Sequence, residues 1–528
     1  MHFEMLDVTV RDYIKELQAS HEKRIKELEN NFETKITELK NDYAVLKEKY
    51  DLVIYQKFVR SAERLRTDKN QPLLFSLEEV KADVKQKQQE LQEVKSHMRK
   101  KKGRKAIDPK IPRVEKIIDI PEDEKTCACG TTLTKIGEES NEKLHIIPPR
   151  IYVEKTIRPK YACRHCEGTT DEDKPAIMIA PVEPSIIPKS IVSASLLSTI
   201  IIQKYEDHLP YYRQEKQFER IMVRISRQDM SNWQQQAYNK LKPLFILLKE
   251  MLKSGPVIQM DETTVQVMGE EGRSDTDKSY MWLARGGPPE KPVVLYEYRQ
   301  SRGGKHAKEI LEGYSGYLQT DGYTGYDTAI EGNNSIIHVG CFAHARRHFF
   351  EAAQVTSQSS KAEEGIQYIK TLYIIESKLR KRYEQDKDLK KFLRVRQMCA
   401  WRPAKDFKQW LIKLKVEVPE SVLLGKAISY TLTQWDKLIK YLESPYLTPD
   451  NNACENAIRP FVLGRKNWLF NKSPDGAESS CGMYSLIQTA KQNGVNPAQY
   501  LTALFEKVPL AVSQEDWQKL LPWNVFTP

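Results

Sequence analysis

The length, composition and charge of the chain limit the classes of protein to which it can belong. Its 528 residues, 40% hydrophobic and 29% charged, are those of a soluble multidomain protein rather than a single small domain. No segment has the apolar character of a secretory signal or the roughly 18 apolar residues of a membrane span, so we expect a cytoplasmic protein with no membrane partner. The net charge of +11 favours a polyanionic partner, although ordinary enzymes of this length also carry such an excess.

The first predicted element is a long helix, since residues 14–53 contain neither Pro nor Gly. Apolar residues recur there at steps of three and four, with one extra step of four, which is the pattern of a coiled coil with one stutter. The sequence therefore predicts a homo-oligomer, and the alternative is a solvated helix packed on its own domain. A second charged stretch and the basic run at 99–105 complete a leucine-zipper-like region at 1–108, in which the basic run is either a linker or a phosphate contact.

A zinc-finger-like segment is predicted at 109–185. A reducing cytoplasm disfavours disulfides, so close pairs of cysteines are expected to bind metal. Two such pairs on tight turns can surround a structural Zn²⁺ tetrahedrally, and Tyr152 to Ile157 between them is predicted to be extended. Four unrelated buried cysteines are the alternative, and His165 could replace one thiolate. The predicted ligands are Cys127, Cys129, Cys163 and Cys166.

Three helices are predicted in the segment 186–252. They cover Ile191 to Tyr205, Pro210 to Ile221 and Ser226 to Leu248, with Ser226 as the N-cap of the third. Three short helices with tight turns suit a helix-turn-helix reader of DNA, although small bundles of other purpose are common. If this segment binds DNA, the third helix presents Arg227 and Gln228 to it, followed by Ser231 and Asn232.

The next segment predicts a strand that carries an acid. If Pro256 to Met268 is extended, Asp261 shares a face with Val257 and Val265. A carboxylate on an apolar face costs free energy unless it is paired or binds a cation. Asp261 is therefore the first candidate ligand of a metal ion.

A second acid follows three more predicted elements, the strands Ser279 to Arg285 and Pro292 to Arg299 and a helix from Lys305. Asp321 stands at the end of an apolar strand, where Gly322 and Gly325 would permit a sharp turn and close approach of a phosphate backbone. A fifth strand then leads into a helix with Arg346 and Arg347. This order of strands and helices predicts a ribonuclease-H-like α/β core that begins at 253–350, within a multidomain α+β chain.

The third acid follows a predicted helical insertion at 351–445. Glu455 lies about one turn into a short helix that Asp450 can cap and that Pro460 would end or kink. Carboxylates from three separate elements are the ligands that two Mg²⁺ or Mn²⁺ ions require for phosphoryl transfer. Taken singly, Asp321 could simply cap a turn and Glu455 could be solvated. Residues 446–495 would complete the core, before a C-terminal segment at 496–528.

Several segments of the chain carry a resemblance to a known family. They read KYEDHLPYYRQ from Lys204, DET from Asp261, TDGY from Thr320 and CFAHARR from Cys341, followed by a long block from Asp450 to Phe470. Through these segments the chain resembles, over nearly its whole length, the transposases of the insertion-sequence sixty-six family. Cys454 departs from the small residue, such as Ala, expected beside the acid, but a thiol can pack in the same space.

The resemblance implies a DDE transposase that cleaves DNA at the ends of a mobile element and transfers the 3′-hydroxyl ends to target DNA. Its acidic triad falls on Asp261, Asp321 and Glu455, and accessory proteins of the same element are possible partners. A DNA-binding relic that has lost its chemistry and a nuclease that cuts without joining are the competing hypotheses. The presence of all three acids disfavours the relic, and the paired DNA-binding segments disfavour the nuclease.

Basic residues near the acids are candidate contacts for DNA. Either arginine of the CFAHARR segment could contact a phosphate, and Cys341 with His344 could instead hold a further metal or simply pack and position these arginines. The residues after Glu455 could grip the scissile strand or form ion pairs with nearby acids, and Trp468 could stack on a base or belong to the core. The candidates are Arg346, Arg347, Arg459, Arg465 and Lys466.

Overall fold

The computed structural model of the chain describes residues 8–54, 151–162, 177–355, 359–383 and 388–526. Residues 81–183 form one compact unit, and the rest of the chain forms a second, larger one. Within the described ranges, no helix is both long and apolar enough to cross a bilayer.

The larger unit begins with one long helix, α1 (Val8–Ile54). Apolar residues of the predicted coiled-coil seam are exposed along it, for example Phe32 at 66% and Leu39 at 62%. Near its end, the side chain of Glu48 accepts a hydrogen bond of 2.9 Å from the backbone N–H of Leu423. The helix therefore contacts the rest of its unit near its C-terminal end and leaves the apolar seam exposed.

The described part of the smaller unit contains a two-stranded antiparallel ribbon, β1 (Lys160–Ala162) and β2 (Ile177–Ile179). Arg158 donates a hydrogen bond of 2.8 Å to the carbonyl of Ala180 across its end. The prediction of an extended strand at Tyr152 to Ile157 was wrong, since residues 151–159 form no regular element. Their β-branched and aromatic residues are exposed and have no neighbouring strand among the described residues with which to pair.

Four helices lie between the two-stranded ribbon and the central sheet in the chain. Ser226 caps one of them through a capping box with Asp229, as its sequence position predicts. The predicted third helix is in fact two helices that meet at Leu241, because Pro243 has no N–H to donate and fits only in the first turn of a new helix. The four are α2 (Ala194–Tyr205), α3 (Tyr211–Arg220), α4 (Arg227–Lys240) and α5 (Lys242–Lys253).

A mixed sheet forms the centre of the larger unit. Five of its strands are β3 (Val257–Val267), β4 (Lys278–Gly286), β5 (Val293–Arg299), β6 (Gly316–Gln319) and β7 (Ile336–Val339). Their order in the sheet is β5-β4-β3-β6-β7; the β3–β4 and β4–β5 pairs are antiparallel and the β3–β6 and β6–β7 pairs are parallel. A short strand, β8 (Phe470–Asn471), adds a parallel pairing to the end of β3.

Helices connect the parallel strands and follow the last of them. The crossovers are α6 (Gly304–Leu311) and α7 (Thr324–Ile330), and α8 (Phe342–Val355) leaves the end of β7. The region after it is helical, as predicted for the insertion. It comprises α9 (Ser359–Tyr383), α10 (Leu389–Glu417), α11 (Leu423–Thr433), the short α12 (Trp435–Leu438) and a 3₁₀ turn at Ile439–Glu443.

The chain returns to the sheet through α13 (Asn452–Trp468), which packs on β3 and β4. Of the two predicted effects of Pro460, ending the helix does not occur, since the helix continues to Trp468. The buried residues Ala457, Ile458, Phe461 and Gly464 form its inner face, and this packing outweighs the one hydrogen bond that proline cannot donate. The remaining helices are α14 (Pro474–Gln492), α15 (Pro497–Lys507) and α16 (Gln514–Lys519).

Two hydrophobic cores hold the larger unit together. One joins the sheet to α2–α5 and α13–α15, and the other lies among α8–α12 and includes Val339 of β7 and Leu447. Because the second core reaches β7 and the segment before α13, the helical insertion packs directly against the part of the sheet that carries the predicted acids.

Candidate active site

The sheet register brings the first two predicted acids side by side. Gln259 of β3 pairs with Gln319 of β6 in parallel register, and Asp261 and Asp321 each follow these residues by two positions. Side chains two residues apart on a strand share a face, so the two carboxylates lie on the same face of the sheet as Gln259 and Gln319. Asp261 is half-buried and the side chain of Asp321 is 24% exposed.

A buried row of amides ties the strands of both aspartates to the segment before α13. The Nε2 of Gln259 donates to Oε1 of Gln319 at 2.9 Å, and the Nε2 of Gln319 donates to the carbonyl of Thr448 at 2.7 Å. Arg285 of β4 donates to Oε1 of Gln259 at 3.1 Å. Buried amides are costly unless bonded, so this row fixes the relative positions of the three segments.

Asn451 places Glu455 over β3. Its side-chain Nδ2 donates to the carbonyl of Met260 at 2.9 Å, and its backbone N–H donates to the thiol of Cys341 at 3.3 Å. The N–H of Glu455 in turn donates to the carbonyl of Asn451 at 3.1 Å, in the first turn of α13. The third acid therefore lies one helical turn from a residue that is bonded to the neighbour of Asp261.

The electrostatics show that the three carboxylates are close. Burial, together with the charges of Glu262, Glu455 and Asp321, raises the pKa of Asp261 to about 8. Burial also raises the pKa of Glu455, and the charges of Asp450 and Asp321 act in the same direction, against that of Arg347. A cation would relieve this repulsion, so the site favours one.

The donor set fits divalent metal ions. The Oε1 of Glu455 is buried and accepts no hydrogen bond from the described residues, whereas the second oxygen lies 4.0 Å from Arg347. Oδ1 of Asp261 accepts from the N–H of Glu262 at 2.8 Å, and Oδ1 of Asp321 accepts from that of Tyr323 at 3.0 Å. Carboxylate oxygens that keep free lone pairs are the hard ligands that Mg²⁺ and Mn²⁺ prefer.

Glu262 lies next to Asp261 but has a different environment. Its side chain is 1% exposed, accepts from Nε of Arg302 at 2.5 Å and accepts from the hydroxyl of Tyr326. Arg302 also lies 3.9 Å from Oδ2 of Asp321 and 3.9 Å from the ring of Tyr323. Glu262 is thus an internal counter-ion, and Arg302 joins it to the second acid of the triad.

Arg302 could not be recognised from the sequence, because nothing in its local pattern separates it from other exposed arginines. Glu262 could have been noticed as an acid beside Asp261, but its buried ion pair required the tertiary structure.

Cys341, His344 and Glu455 also approach one another, with one possible ligand atom of each within 4.8 Å of the others. Nδ1 of His344 lies 3.9 Å from Glu455. Burial and the charge of Arg347 lower the pKa of His344 to about 4, so its ring is neutral at pH 7. Burial raises the pKa of Cys341, which remains a thiol and accepts from Asn451. The thiol and the neutral imidazole thus lie beside the third acid of the predicted triad.

The two glycines after Asp321 do not use the positive φ that glycine permits. Neither Gly322 nor Gly325 has a positive φ. A Cβ at Gly322 would lie 2.7 Å from the hydroxyl of Tyr430, and one at Gly325 would meet the ring of Tyr323. These glycines make room for tyrosine rings, one of which comes from the helical insertion.

The structure separates the predicted DNA contacts into three groups. Arg347 is exposed beside Glu455, and Arg346 is half-buried with its guanidinium 5.7 Å from the ring of Phe350. Arg459 and Lys466 are exposed on α13, whereas Arg465 is half-buried and donates to the hydroxyls of Thr263 and Thr264 at 3.2 and 3.1 Å.

The other candidates lie elsewhere. Arg227 and Gln228 are exposed at the start of α4, and no contact joins them to the three acids. Trp468 packs against Phe461 at the end of α13, at 5.5 Å between ring centroids, so its core role fits the structure better than stacking on a base. The predicted zinc ligands Cys127, Cys129, Cys163 and Cys166 lie outside the described residues, as do His165 and the basic run at 99–105.

Comparison with known proteins extends these observations. The profile described as "Transposase IS66 family" matches residues 189–479, which include all three acids and the helical insertion. The chain belongs to this family of transposases. Further profiles of the same family match other parts of the chain: "zinc-finger binding domain of transposase IS66" at 124–167, "IS66 C-terminal element" at 485–523, and a leucine-zipper profile described as "Transposase C of IS166 homeodomain" at 45–115.

Relatives from Sinorhizobium fredii (strain NBRC 101917 / NGR234) match most of this IS66 transposase. It is 32% identical to "Uncharacterized protein y4qI" over 481 residues, which are 88% of this chain and 86% of the relative. It is 31% identical to "Uncharacterized protein y4jD" over 427 residues, 78% of this chain and 80% of the relative.

The zinc-finger profile covers all four predicted zinc cysteines. The zipper profile overlaps only the end of the predicted seam.

Proposed function

We propose that this IS66 transposase is a DDE enzyme that cleaves DNA at the ends of its mobile element and transfers the 3′-hydroxyl ends to target DNA. Asp261, Asp321 and Glu455 would hold two Mg²⁺ or Mn²⁺ ions. The observation that carries the proposal is their convergence from β3, from the end of β6 and from α13, at a place where burial and the neighbouring acids raise the pKa of Asp261 to about 8.

The core is proposed to be ribonuclease-H-like. Three antiparallel strands are followed by two parallel ones, with β3 in the centre next to β6, and this arrangement supports the assignment. Ligand sites in such open sheets lie at the carboxyl ends of strands, which is where Asp321 stands. The proposed core consists of residues 253–350 and 446–495, separated by the insertion at 351–445.

The chain's own residues position the site. Bound there, the metal ions would activate the attacking water or 3′-hydroxyl and stabilise the leaving oxygen. Gln259 and Gln319 hold the aspartate strands in register, and Asn451 sets the first turn of the Glu455 helix. Arg347, exposed beside Glu455, would contact a phosphate of the scissile strand.

The other segments receive supporting roles in this proposal. Cys127, Cys129, Cys163 and Cys166 would bind one structural Zn²⁺ within 109–185, and the coiled coil within 1–108 would join copies of the chain. The helices of 186–252 would contact DNA through Arg227 and Gln228. Further phosphate contacts would come from Arg346, Arg459 and Lys466. Arg465 donates to the hydroxyls of Thr263 and Thr264 on β3 and would contact a phosphate only after these hydrogen bonds break.

The test is a cleavage and strand-transfer assay on duplexes that carry the element's ends, with Mg²⁺ or Mn²⁺. The wild type is compared with Asp261→Asn, Asp321→Asn and Glu455→Gln, which keep the shapes of the side chains. We expect each change to reduce cutting and joining by at least about 1,000-fold while DNA binding persists. A wild type that binds the ends but never cuts with either metal would favour the DNA-binding relic, and one that cuts without joining would favour the nuclease.

A further inference from the structure

Helix α10 of the insertion holds most of the net charge of the whole chain. Its 29 residues contain nine lysines and arginines and only two acids, Asp406 and Glu417. The helix therefore has a net charge of +7, while the entire chain has a net charge of +11. Such a concentration costs self-repulsion in the folded state unless an anion offsets it.

The charge lies on the outer side of the helix. The inner side buries Phe392, Ala400, Phe407 and Leu411 in the insertion core. The outer side presents the basic face, which we define as Arg394, Arg402, Lys405 and Lys413. These four are exposed, and none forms an ion pair with another described residue. They are thus available to an external anion.

Apolar side chains are interleaved with the basic ones. Met398 is 73% exposed and Trp401 is 58% exposed, one turn apart on α10. An exposed tryptophan flanked by arginines is unfavourable as a purely solvated surface, but it suits a nucleic acid, whose sugars and bases offer flat apolar faces. The excess of positive charge favours this partner over an apolar protein surface.

The inner side of α10 connects the basic face to the candidate active site. Arg396 is fully buried, pairs with Glu376 at 3.3 Å, and donates to the carbonyls of Leu447, at 3.0 Å, and Ser444. Those carbonyls belong to the segment that leads into Asn451 and α13. The helix that carries the basic face is therefore bonded to the same segment that leads into the helix of Glu455.

We propose that the basic face of α10 binds the phosphate backbone of the element-end duplex next to the cleavage site, with Trp401 packed against the same DNA. Arg394 and Lys413 are 19 positions apart on one helix, about 29 Å at about 1.5 Å per residue, which approaches the roughly 34 Å of one duplex turn. The element end is the expected occupant because its cleavage precedes joining to the target. This inference rests on the proposed transposase function.

Binding to a duplex with the element's terminal sequence tests the surface without requiring catalysis. The variant Arg402→Gln/Lys405→Gln should raise the Kd at least about 10-fold at 0.1 M salt and reduce the slope of log K against log salt by about 1.8. Trp401→Ala should raise the Kd roughly 10-fold with an unchanged slope. The matched control Lys291→Gln/Lys519→Gln removes two exposed lysines outside the insertion and should leave both quantities unchanged.

The possible outcomes separate this inference from the proposed function. If the basic-face variants bind and cut like the wild type, the inference is wrong while the transposase proposal stands. If the wild type never cuts but the basic-face variants bind the duplex more weakly than it does, the proposed transposase chemistry is wrong and the DNA-binding surface is supported. If the basic-face variants bind and cut the element end normally but no longer join it, the surface binds target DNA, and the proposal that it binds the element end is wrong. A smaller particle mass for Trp401→Ala in light scattering would instead identify a protein interface.

Discussion

At the residue scale, two adjacent acids have different surroundings. Asp261 lies among other carboxylates and near no arginine within ion-pairing distance among the described residues, so burial and repulsion raise its pKa. Burial also raises the pKa of Glu262, but its partners Tyr326 and Arg302 act in the opposite direction. The environment rather than the residue type therefore selects which acid can bind a metal ion.

The pKa of Asp261 predicts how the stability of the metal-free protein depends on pH. The unfolded carboxyl titrates near 3.8 and the folded one near 8. Between these values the folded state keeps a proton that the unfolded state releases, so the free energy of unfolding should fall as pH rises from about 4 to about 8. In Asp261→Asn that contribution should be absent, and the loss between pH 5 and pH 8 should be smaller.

Urea unfolding at pH 5, 6.5 and 8 without added divalent metal measures this difference. Asp436→Asn is the control, since the Asp436 side chain is 91% exposed and its replacement should leave the pH dependence unchanged. Identical pH profiles for the wild type and Asp261→Asn would show that Asp261 is ionised in the folded protein without metal, and would contradict the repulsion described above.

At the scale of elements, the insertion and the core depend on each other. Arg380 and Arg396 of α9 and α10 both donate to the carbonyl of Leu447, at 2.7 and 3.0 Å, and Tyr430 of α11 fills the space beside Gly322. The insertion therefore contacts the segments that carry Glu455 and Asp321. We therefore expect it to support the candidate active site, in addition to its proposed role as a DNA surface.

Arg396→Met should test this support. The change leaves Glu376 without one of its two cations and leaves two buried carbonyls with fewer donors, so we expect a loss of roughly 3 kcal/mol in the free energy of unfolding. Cleavage should fall further than DNA binding, because Glu455 loses its positioning. Lys415→Met, which replaces an exposed lysine of the same helix outside the basic face, should change stability by less than about 0.5 kcal/mol.

Urea unfolding, end binding and cleavage are measured on both variants. An Arg396→Met protein as stable and as active as the wild type would show that the buried guanidinium is not needed to hold the segment before α13.

At the scale of the whole molecule, α1 exposes an apolar seam that a single chain leaves uncovered. Deletion of Ile14 to Val53 should reduce the mass measured by light scattering to that of one chain, because coiled-coil partners bury such seams. Leu28→Lys/Leu39→Lys keeps the contact between Glu48 and Leu423 and should have the same effect. An unchanged mass in both variants would exclude the seam as the oligomer interface.

The zinc prediction also concerns the whole molecule, since it involves a separate unit. Metal analysis of the purified protein should find about one zinc per chain, and Cys163→Ser/Cys166→Ser should lose it. Cys399→Ser, which replaces an exposed free cysteine of α10, should retain the zinc. Folded wild-type protein without zinc would refute the metal site.

The sequence alone was informative where local pattern decides structure. Alternation of apolar residues predicted β3 and placed Asp261 within it, the Ser226 cap predicted the start of α4, and the apolar spacing predicted α1. Pro243 could have revealed the break between α4 and α5, since proline is confined to the first turn of a helix. The family resemblance followed from short motifs, each of which is a continuous stretch of the chain.

Only the tertiary structure decided how distant segments meet. The Gln259–Gln319 row, the ion pair of Glu262 with Arg302, the tyrosine rings beside Gly322 and Gly325, and the bonds from Arg396 to the segment before α13 join residues far apart in sequence. The sequence by itself determined which elements form and which acids are candidates, because periodicity and capping act within a few residues. The structure decided which groups are buried together, and burial and proximity are what set charge, pKa and metal affinity.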